Sequence, residues 1–244
     1  MRSGQAERIR AFILCGGFGR RLRPVVSDRP KSMAVVAGVP FLELLLRQVR
    51  AQGIGEAILG TGYMAEQIED YFRNGAALGM TVRYSRESEP LGTGGALKLA
   101  ERLLSDPVLV LNGDSFVEWD LEAARNLFER RGADAVMVLQ RVPDIARYGS
   151  VAMEPDGRVT DFVEKGTRTG AGLINAGVYL LRKEIVMGLP EKEAVSLERD
   201  VFPRLPAEKL YGLVTEGIFI DIGIPADLER AQSVLRPKVQ ASTT

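Results

Sequence analysis

Short apolar runs closed by glycine or turn residues alternate with stretches of helical period through the first half of the chain. The first run, Ala11 to Cys15, opens into a loop of Gly16, Gly17, Phe18 and Gly19. Between Pro40 and Gln52, Leu42, Leu45, Leu46 and Val49 recur at i, i+3, i+4 and i+7, the stripe of an amphipathic helix packed on a core. Strands are predicted at Glu56 to Leu59, Thr81 to Tyr84, Pro107 to Leu111 and Ala133 to Leu139, with helices between them at about Ala65 to Arg73, Gly94 to Leu104 and Leu121 to Arg131. Regular alternation of strand and helix makes βαβ units, whose crossovers favour a doubly wound, largely parallel α/β sheet.

After about Arg141 the rhythm tightens. Strand-like pieces follow closely at Ser150 to Glu154, Arg158 to Glu164 and Gly172 to Leu181, and Glu154-Pro155-Asp156-Gly157 between the first two predicts a hairpin turn. A helix over Ala226 to Leu235 and a polar tail from Pro237 complete the pattern. No Pro/Gly/Ser-rich linker marks the change, so residues 1–244 read as one domain with halves at about 10–140 and about 141–235.

Composition then narrows the chemistry. The 244 residues are 45% hydrophobic, enough for a sizeable core, and 32 Lys+Arg cancel 32 Asp+Glu. A zero formal charge leaves no electrostatic footprint for nucleic acid or an anionic membrane. Histidine is absent, which removes Ser-His-Asp and Cys-His triads, imidazole bases and His-ligated metals. A metal, if used, is expected to be hard and oxygen-liganded, such as Mg²⁺. With one cysteine, Cys15, no internal disulfide forms. Neither an apolar leader at the N-terminus nor ~18 uninterrupted apolar residues occurs, so the expected setting is the cytoplasm.

The first loop reads Leu14-Cys15-Gly16-Gly17-Phe18-Gly19-Arg20-Arg21-Leu22-Arg23-Pro24, followed by Pro30-Lys31-Ser32-Met33. It is neither standard phosphate loop: Leu22 stands where the dinucleotide fingerprint needs a third glycine, and no Gly-x-x-x-x-Gly-Lys-Ser/Thr occurs. Bare backbone N–H groups beside Arg20, Arg21, Arg23 and Lys31 nonetheless suit a triphosphate. The plainer alternative is a strand-to-loop turn with solvated arginines.

The spacing of these residues resembles the signature of the sugar-phosphate nucleotidyltransferases, also called nucleotide-sugar pyrophosphorylases. Further family-like pieces follow in order: Glu89-Pro90-Leu91-Gly92-Thr93-Gly94-Gly95-Ala96, Asn112-Gly113-Asp114, Glu164-Lys165, Asn175-Ala176-Gly177 and Asp221-Ile222-Gly223. The resemblance implies a Rossmann-like α/β fold with a mixed, mostly parallel sheet and helices on both faces. Its first half would bind the nucleotide and its second half the sugar phosphate. Two departures stand out, Arg20 where the family usually has Thr and Ser32 where it usually has Pro.

In the implied reaction a sugar 1-phosphate oxygen attacks the α-phosphorus of an NTP and releases pyrophosphate. The nucleophile is already anionic, its second pKa being about 6, so no histidine base is needed. The resemblance assigns Arg21 and Lys31 to the triphosphate as catalytic cations. Gly16, Gly17, Gly19, Glu89, Gly92 and Thr93 are its nucleotide contacts, and Gly149, Glu164, Lys165 and Asn175 its sugar-phosphate contacts. Asp114 and Asp221 each follow an apolar strand-like run and are expected to share one Mg²⁺; the structural alternatives are a helix cap and a turn.

Glu89 as a pure acceptor suits the paired N1–H and 2-amino donors of guanine, although a solvated loop glutamate accounts for it equally well. Sequence details at Val25 to Lys31, Asn112 to Phe116, Ser196 to Glu198 and Phe219 to Pro225 look most like members that transfer GMP from GTP to a manno-configured heptose 1-phosphate. Mannose 1-phosphate guanylyltransferases and hexose 1-phosphate uridylyltransferases compete. A catalytically silent nucleotide-sugar-binding relative should lack a cation or a metal carboxylate, and Arg21, Lys31, Asp114, Lys165 and Asp221 are all present. The partners expected are therefore GTP and a sugar 1-phosphate, with homo-oligomerisation left open.

Overall fold

The computed structural model describes residues 8–163 and 169–241. β1 (Arg10–Leu14) is central because both its faces are covered: Phe12 packs into one core cluster, Ala11 and Ile13 into the other, all fully buried. A short antiparallel ribbon, β2 (Val35–Val36) and β3 (Val39–Pro40), leads into α1 (Phe41–Ala51), whose Leu42, Leu45, Leu46 and Val49 are solvent-free. Each such leucine contributes about 1.5–3 kcal/mol by leaving water. Next come β4 (Glu56–Thr61), α2 (Ala65–Phe72), β5 (Thr81–Arg86), α3 (Gly92–Leu99) and β6 (Val108–Asn112). These strands stand in the order β6-β1-β4-β5, and every pair is parallel.

The second half adds β7 (Ser115–Val117), α4 (Leu121–Arg131), β8 (Ala135–Val142), β9 (Ser150–Met153), β10 (Val159–Val163) and β11 (Gly172–Leu181). After them lie α5 (Lys183–Met187), β12 (Leu210–Thr215), β13 (Phe219–Asp221), α6 (Pro225–Val234) and α7 (Arg236–Ala241). α4 begins where Asp120 Oδ1 accepts the Ala123 N–H at 3.0 Å and ends at Gly132, whose φ of 55° suits a residue without Cβ.

β11 splices the halves together. One edge pairs antiparallel with β6 over Val178–Leu181 and with β9 over Leu173–Ile174, while the other edge pairs with β8, which carries β12. Only β10 and β11 run against the other strands of this sheet, so it is mixed and mostly parallel as expected. α1, α2, α4 and α6 contribute to one core cluster and α3 and α5 to the other, which places helices on both faces.

β6 and β9 share one edge of β11 but do not touch its middle, and on the opposite edge the register with β8 shifts between Asn175 and Tyr179, where Gly177 turns through φ +79°. The sheet splits there. Outside it, β7 and β13 form an antiparallel ribbon. The expected hairpin is present, with Gly157 N bonded to Glu154 O at 2.9 Å. The expected polar tail from Pro237 is helical as α7, and the helix expected over Gly94 to Leu104 starts at Gly92 and gives way to a 3₁₀ turn at Glu101–Leu103.

Candidate active site

Cys15 N bonds Gly60 O at 2.9 Å, extending the β1–β4 ladder by one residue before the chain leaves the sheet at Gly16 and Gly17. Gly19 needs to be glycine: at φ +58° a Cβ there would be strained and would lie within 2.8 Å of Lys31 Cβ, while a Cβ on Gly16 would push the Glu87 carboxylate aside. The loop borders a cleft of about 450 Å³ outside the carboxyl ends of the parallel strands, also lined by Arg20, Arg21, Lys31, Glu87 and Asp114.

At one corner of the cleft the two aspartates converge. Asp114 lies in the turn after β6 and Asp221 closes β13; the β7–β13 ribbon pairs Asp221 with Ser115, and Ile222 N bonds Asp114 O at 3.0 Å. Two carboxylates 107 positions apart in sequence are thereby made neighbours. Lys31 Nζ stands 2.6 Å from Asp114 Oδ2 and 3.9 Å from Asp221 Oδ1, and Gly223 N donates to Asp221 Oδ1 at 2.7 Å. Arg21 reaches the same corner, its Nη2 lying 3.2 Å from where a Cβ on Gly223 would stand. Among the described residues no group of three or more Asp, Glu, Cys or His side chains gathers that could hold a metal by itself.

A second pocket of about 210 Å³ shares Arg21, Asn112 and Asp114 with the cleft and occupies the split in the sheet. Gly149 O accepts the Asn175 N–H at 3.0 Å, which places both beside it. Tyr148 stands edge-on to Phe219 with centroids 5.6 Å apart, beneath the guanidinium of Arg147, which pairs with the buried Asp227 of α6. Asn175 Nδ2 donates to the Tyr179 hydroxyl at 2.7 Å, and that hydroxyl donates to Glu198 Oε1 at 3.0 Å. Burial and the nearby Glu198 charge push the Tyr179 phenol well up, so it stays a donor.

Most of the sequence-predicted residues therefore meet at two adjoining cavities. Gly16, Gly17, Gly19, Arg21, Lys31, Gly92, Thr93 and Asp114 line the cleft; Gly149, Asn175, Asp114 and Asp221 line the pocket. Glu164 and Lys165 lie outside the described residues. Glu89 is exposed and does not line the cleft, a place taken by Glu87. The signal for Glu87 was its position: β5 runs to Arg86, two residues beyond the predicted end, and Glu87 is the first residue past the strand's carboxyl end. Thr93 uses its hydroxyl within the protein, accepting Leu197 N at 2.7 Å and donating to Glu198 Oε2 at 2.8 Å. Glu198 and Asn112 also line the pocket; the family-like stretches of the sequence contained both but gave neither a role.

Comparison with known proteins gives concordant findings. The family model described as Nucleotidyl transferase matches residues 10–237. The chain is 42% identical over 231 residues to D-glycero-alpha-D-manno-heptose 1-phosphate guanylyltransferase of Aneurinibacillus thermoaerophilus, covering 93% of this chain and 98% of that one. It is 38% identical to the mannose-1-phosphate guanylyltransferase of Mycobacterium tuberculosis, over 94% of this chain and 65% of that protein. A crystal structure of HddC from Yersinia pseudotuberculosis complexed with GMP-PN superposes with a TM-score of 0.80 at 37% identity, over 91% of this chain and 97% of that one.

Proposed function

The chain belongs to the nucleotidyl transferase family, and we propose that it transfers GMP from GTP to a sugar 1-phosphate, releasing pyrophosphate. D-glycero-α-D-manno-heptose 1-phosphate is the preferred acceptor, because the relative sharing 42% identity over nearly its whole length is named for that sugar. The observation that carries the reading is the corner where Arg21, Lys31, Asp114 and Asp221 meet between a larger and a smaller cavity. A nucleotide in the cleft and a sugar phosphate in the pocket would bring their phosphates together only there.

The reaction joins two polyanions, so the main task is to neutralise charge and align the phosphates. Lys31 and Arg21 do this from the protein. The sugar phosphate attacks with an oxygen that is largely ionised at neutral pH, and pyrophosphate leaves as an anion, so no side chain has to accept a proton. Lys165 is expected to grip the incoming phosphate. Asp114 and Asp221 would hold Mg²⁺: both are hard oxygen donors, and both face one ammonium, which marks the spot as built for a cation. The ion, when bound with phosphate oxygens and water, supplies further positive charge at the phosphates.

Glu87 is the candidate base reader. It is half-buried, accepts the Leu91 N–H at 3.2 Å, and has acceptor capacity left for the paired donors of guanine, which adenine's Watson–Crick edge lacks. Mannose 1-phosphate is the second acceptor to consider, on the 38% identity to a mannose-1-phosphate guanylyltransferase. The test is a pyrophosphate-release panel crossing GTP, ATP, UTP and CTP with heptose, mannose and glucose 1-phosphates. Release with GTP and a manno-configured sugar is the expected result; release with no pair defeats the reading and leaves a nucleotide-sugar-binding protein.

A further inference from the structure

Glu198 sits in a single π-helical turn, Leu197–Val201, beside the smaller pocket, in a type of distortion that recurs at functional sites. Its partners among the described residues are three hydroxyls, with no lysine or arginine among them: Thr93 at 2.8 Å and Ser196 at 2.9 Å on Oε2, and Tyr179 at 3.0 Å on Oε1. Each hydroxyl is fixed in turn, Thr93 by Leu197 N, Ser196 by Arg199 N and Tyr179 by Asn175 Nδ2. Three neutral hydroxyls thus hold this carboxylate in place at the wall of the pocket.

Donor counting shows what is left over. An ionised carboxylate offers about four acceptor sites, and these hydroxyls fill both on Oε2 and one on Oε1. Asn175 is similarly part-used: Oδ1 accepts Gly177 N at 2.9 Å, one amide N–H goes to Tyr179, and among the described residues the other N–H has no partner. A spare acceptor and a spare donor thus flank one buried tyrosine hydroxyl in the same pocket. That combination matches a sugar hydroxyl, which both donates and accepts. It does not match a phosphate, which the Glu198 charge would repel toward the Arg21 and Lys31 corner.

Resting on the sugar-phosphate reading of this pocket, we propose that Glu198 is a sugar-recognition residue, accepting one hydroxyl of the acceptor sugar. Thr93, which lines the nucleotide cleft, holds the same carboxylate in place. The two cavities therefore share a hydrogen-bonded link, and the acceptor side is positioned from the nucleotide side.

The test uses the full chain with α-D-mannose 1-phosphate and its 2-, 3-, 4- and 6-deoxy derivatives, read by steady-state kinetics with GTP and by calorimetric binding. Glu198→Gln should raise KM and Kd for the parent sugar phosphate about tenfold or more while KM for GTP stays within about twofold. One deoxy derivative should bind the wild type correspondingly less well, yet lose nothing further in Glu198→Gln. Should that variant misfold, Tyr179→Phe, which releases Oε1 and one Asn175 N–H but leaves Oε2 held, should show the same deoxy pattern at reduced size. Unchanged sugar affinity in Glu198→Gln, or deoxy losses identical in variant and wild type, overturns the proposal. Wild-type binding without turnover would instead count against the transferase reading, and the binding arm would still judge Glu198; no binding of either mannose 1-phosphate or the manno-heptose 1-phosphate to the wild type overturns both.

Discussion

The cleft and the pocket are built by different means. The cleft is bounded by backbone: glycines at the end of β1 and the start of α3 let the main chain come close, and cations on flexible stems stand around it. The pocket is bounded by interlocked side chains, in which Asn175, Tyr179, Glu198, Ser196 and Thr93 fix one another and the Arg147–Asp227 pair braces Tyr148. Backbone N–H groups and nearby cations suit a triphosphate, whose recognition is mostly charge. A rigid array of donors and acceptors suits a pattern of hydroxyls. Substitutions in the cleft should therefore act on rate or nucleotide affinity, and those in the pocket on the choice of sugar.

The strongest challenge to this division is at the corner the cavities share. Asp114→Asn and Asp221→Asn should each lower kcat by about 10³-fold, several kcal/mol of transition-state stabilisation, with little change in melting temperature. A Mg²⁺ titration of activity beside a thermal melt decides: an unchanged metal requirement with a lowered Tm would make both aspartates structural. Lys31→Ala should cost kcat about 10²-fold, whereas Lys165→Ala should chiefly raise KM for the sugar phosphate. Loss of GTP affinity in both variants, with the sugar phosphate unaffected, would contradict that split.

Smaller effects sharpen the comparison. Glu87→Gln should reduce the preference for GTP over ATP about tenfold. Burial holds the Glu87 carboxyl above its usual range, so its contribution to stability is present below the unfolded value of about 4.3 and is lost as pH rises through the raised folded pKa. The Gln variant should accordingly melt higher than wild type at neutral pH, with the gap closing as the medium is acidified; a gap that widens instead would show that Glu87 is not penalised by burial. Arg20, exposed and stacked 5.7 Å from the Phe18 ring centroid, should matter least. Arg20→Thr should shift KM for GTP no more than about threefold, as measured across a salt series, and a larger, salt-sensitive loss would make it a principal triphosphate ligand.

How far these features were legible follows from their physical origin. β1, β4, β6 and α1 announce themselves because burial on two faces gives an unbroken apolar run and burial on one helical stripe a period of about 3.6. The β7–β13 ribbon was not legible as a pairing: strands of three residues carry no period, and the partners are about a hundred positions apart. β12, whose apolar run is interrupted by Gly212, was passed over for a similar reason. Motif spacing located the Gly16 loop and both aspartates, but it could not separate Glu87 from Glu89, because the choice depends on where β5 stops. Glu198 becomes conspicuous only once Thr93 and Tyr179, far apart in sequence, are seen to hold it.

Cys15 carries a consequence of another kind. It is the chain's single cysteine, it is buried, and it lines the larger cleft at the root of the glycine loop. Burial, with the nearby Asp114 charge, drives its thiol far toward the protonated form, and its Sγ donates to Ile13 O at 3.2 Å. Since only a thiolate is nucleophilic, the closed protein should react slowly with alkylating reagents, and labelling should require the end of β1 to come away from its neighbours. The molecule thus contains its own clock. The rate at which this one native atom is alkylated should report the population of the opened loop at the root of the cleft, and an added nucleotide that closes the loop should slow it.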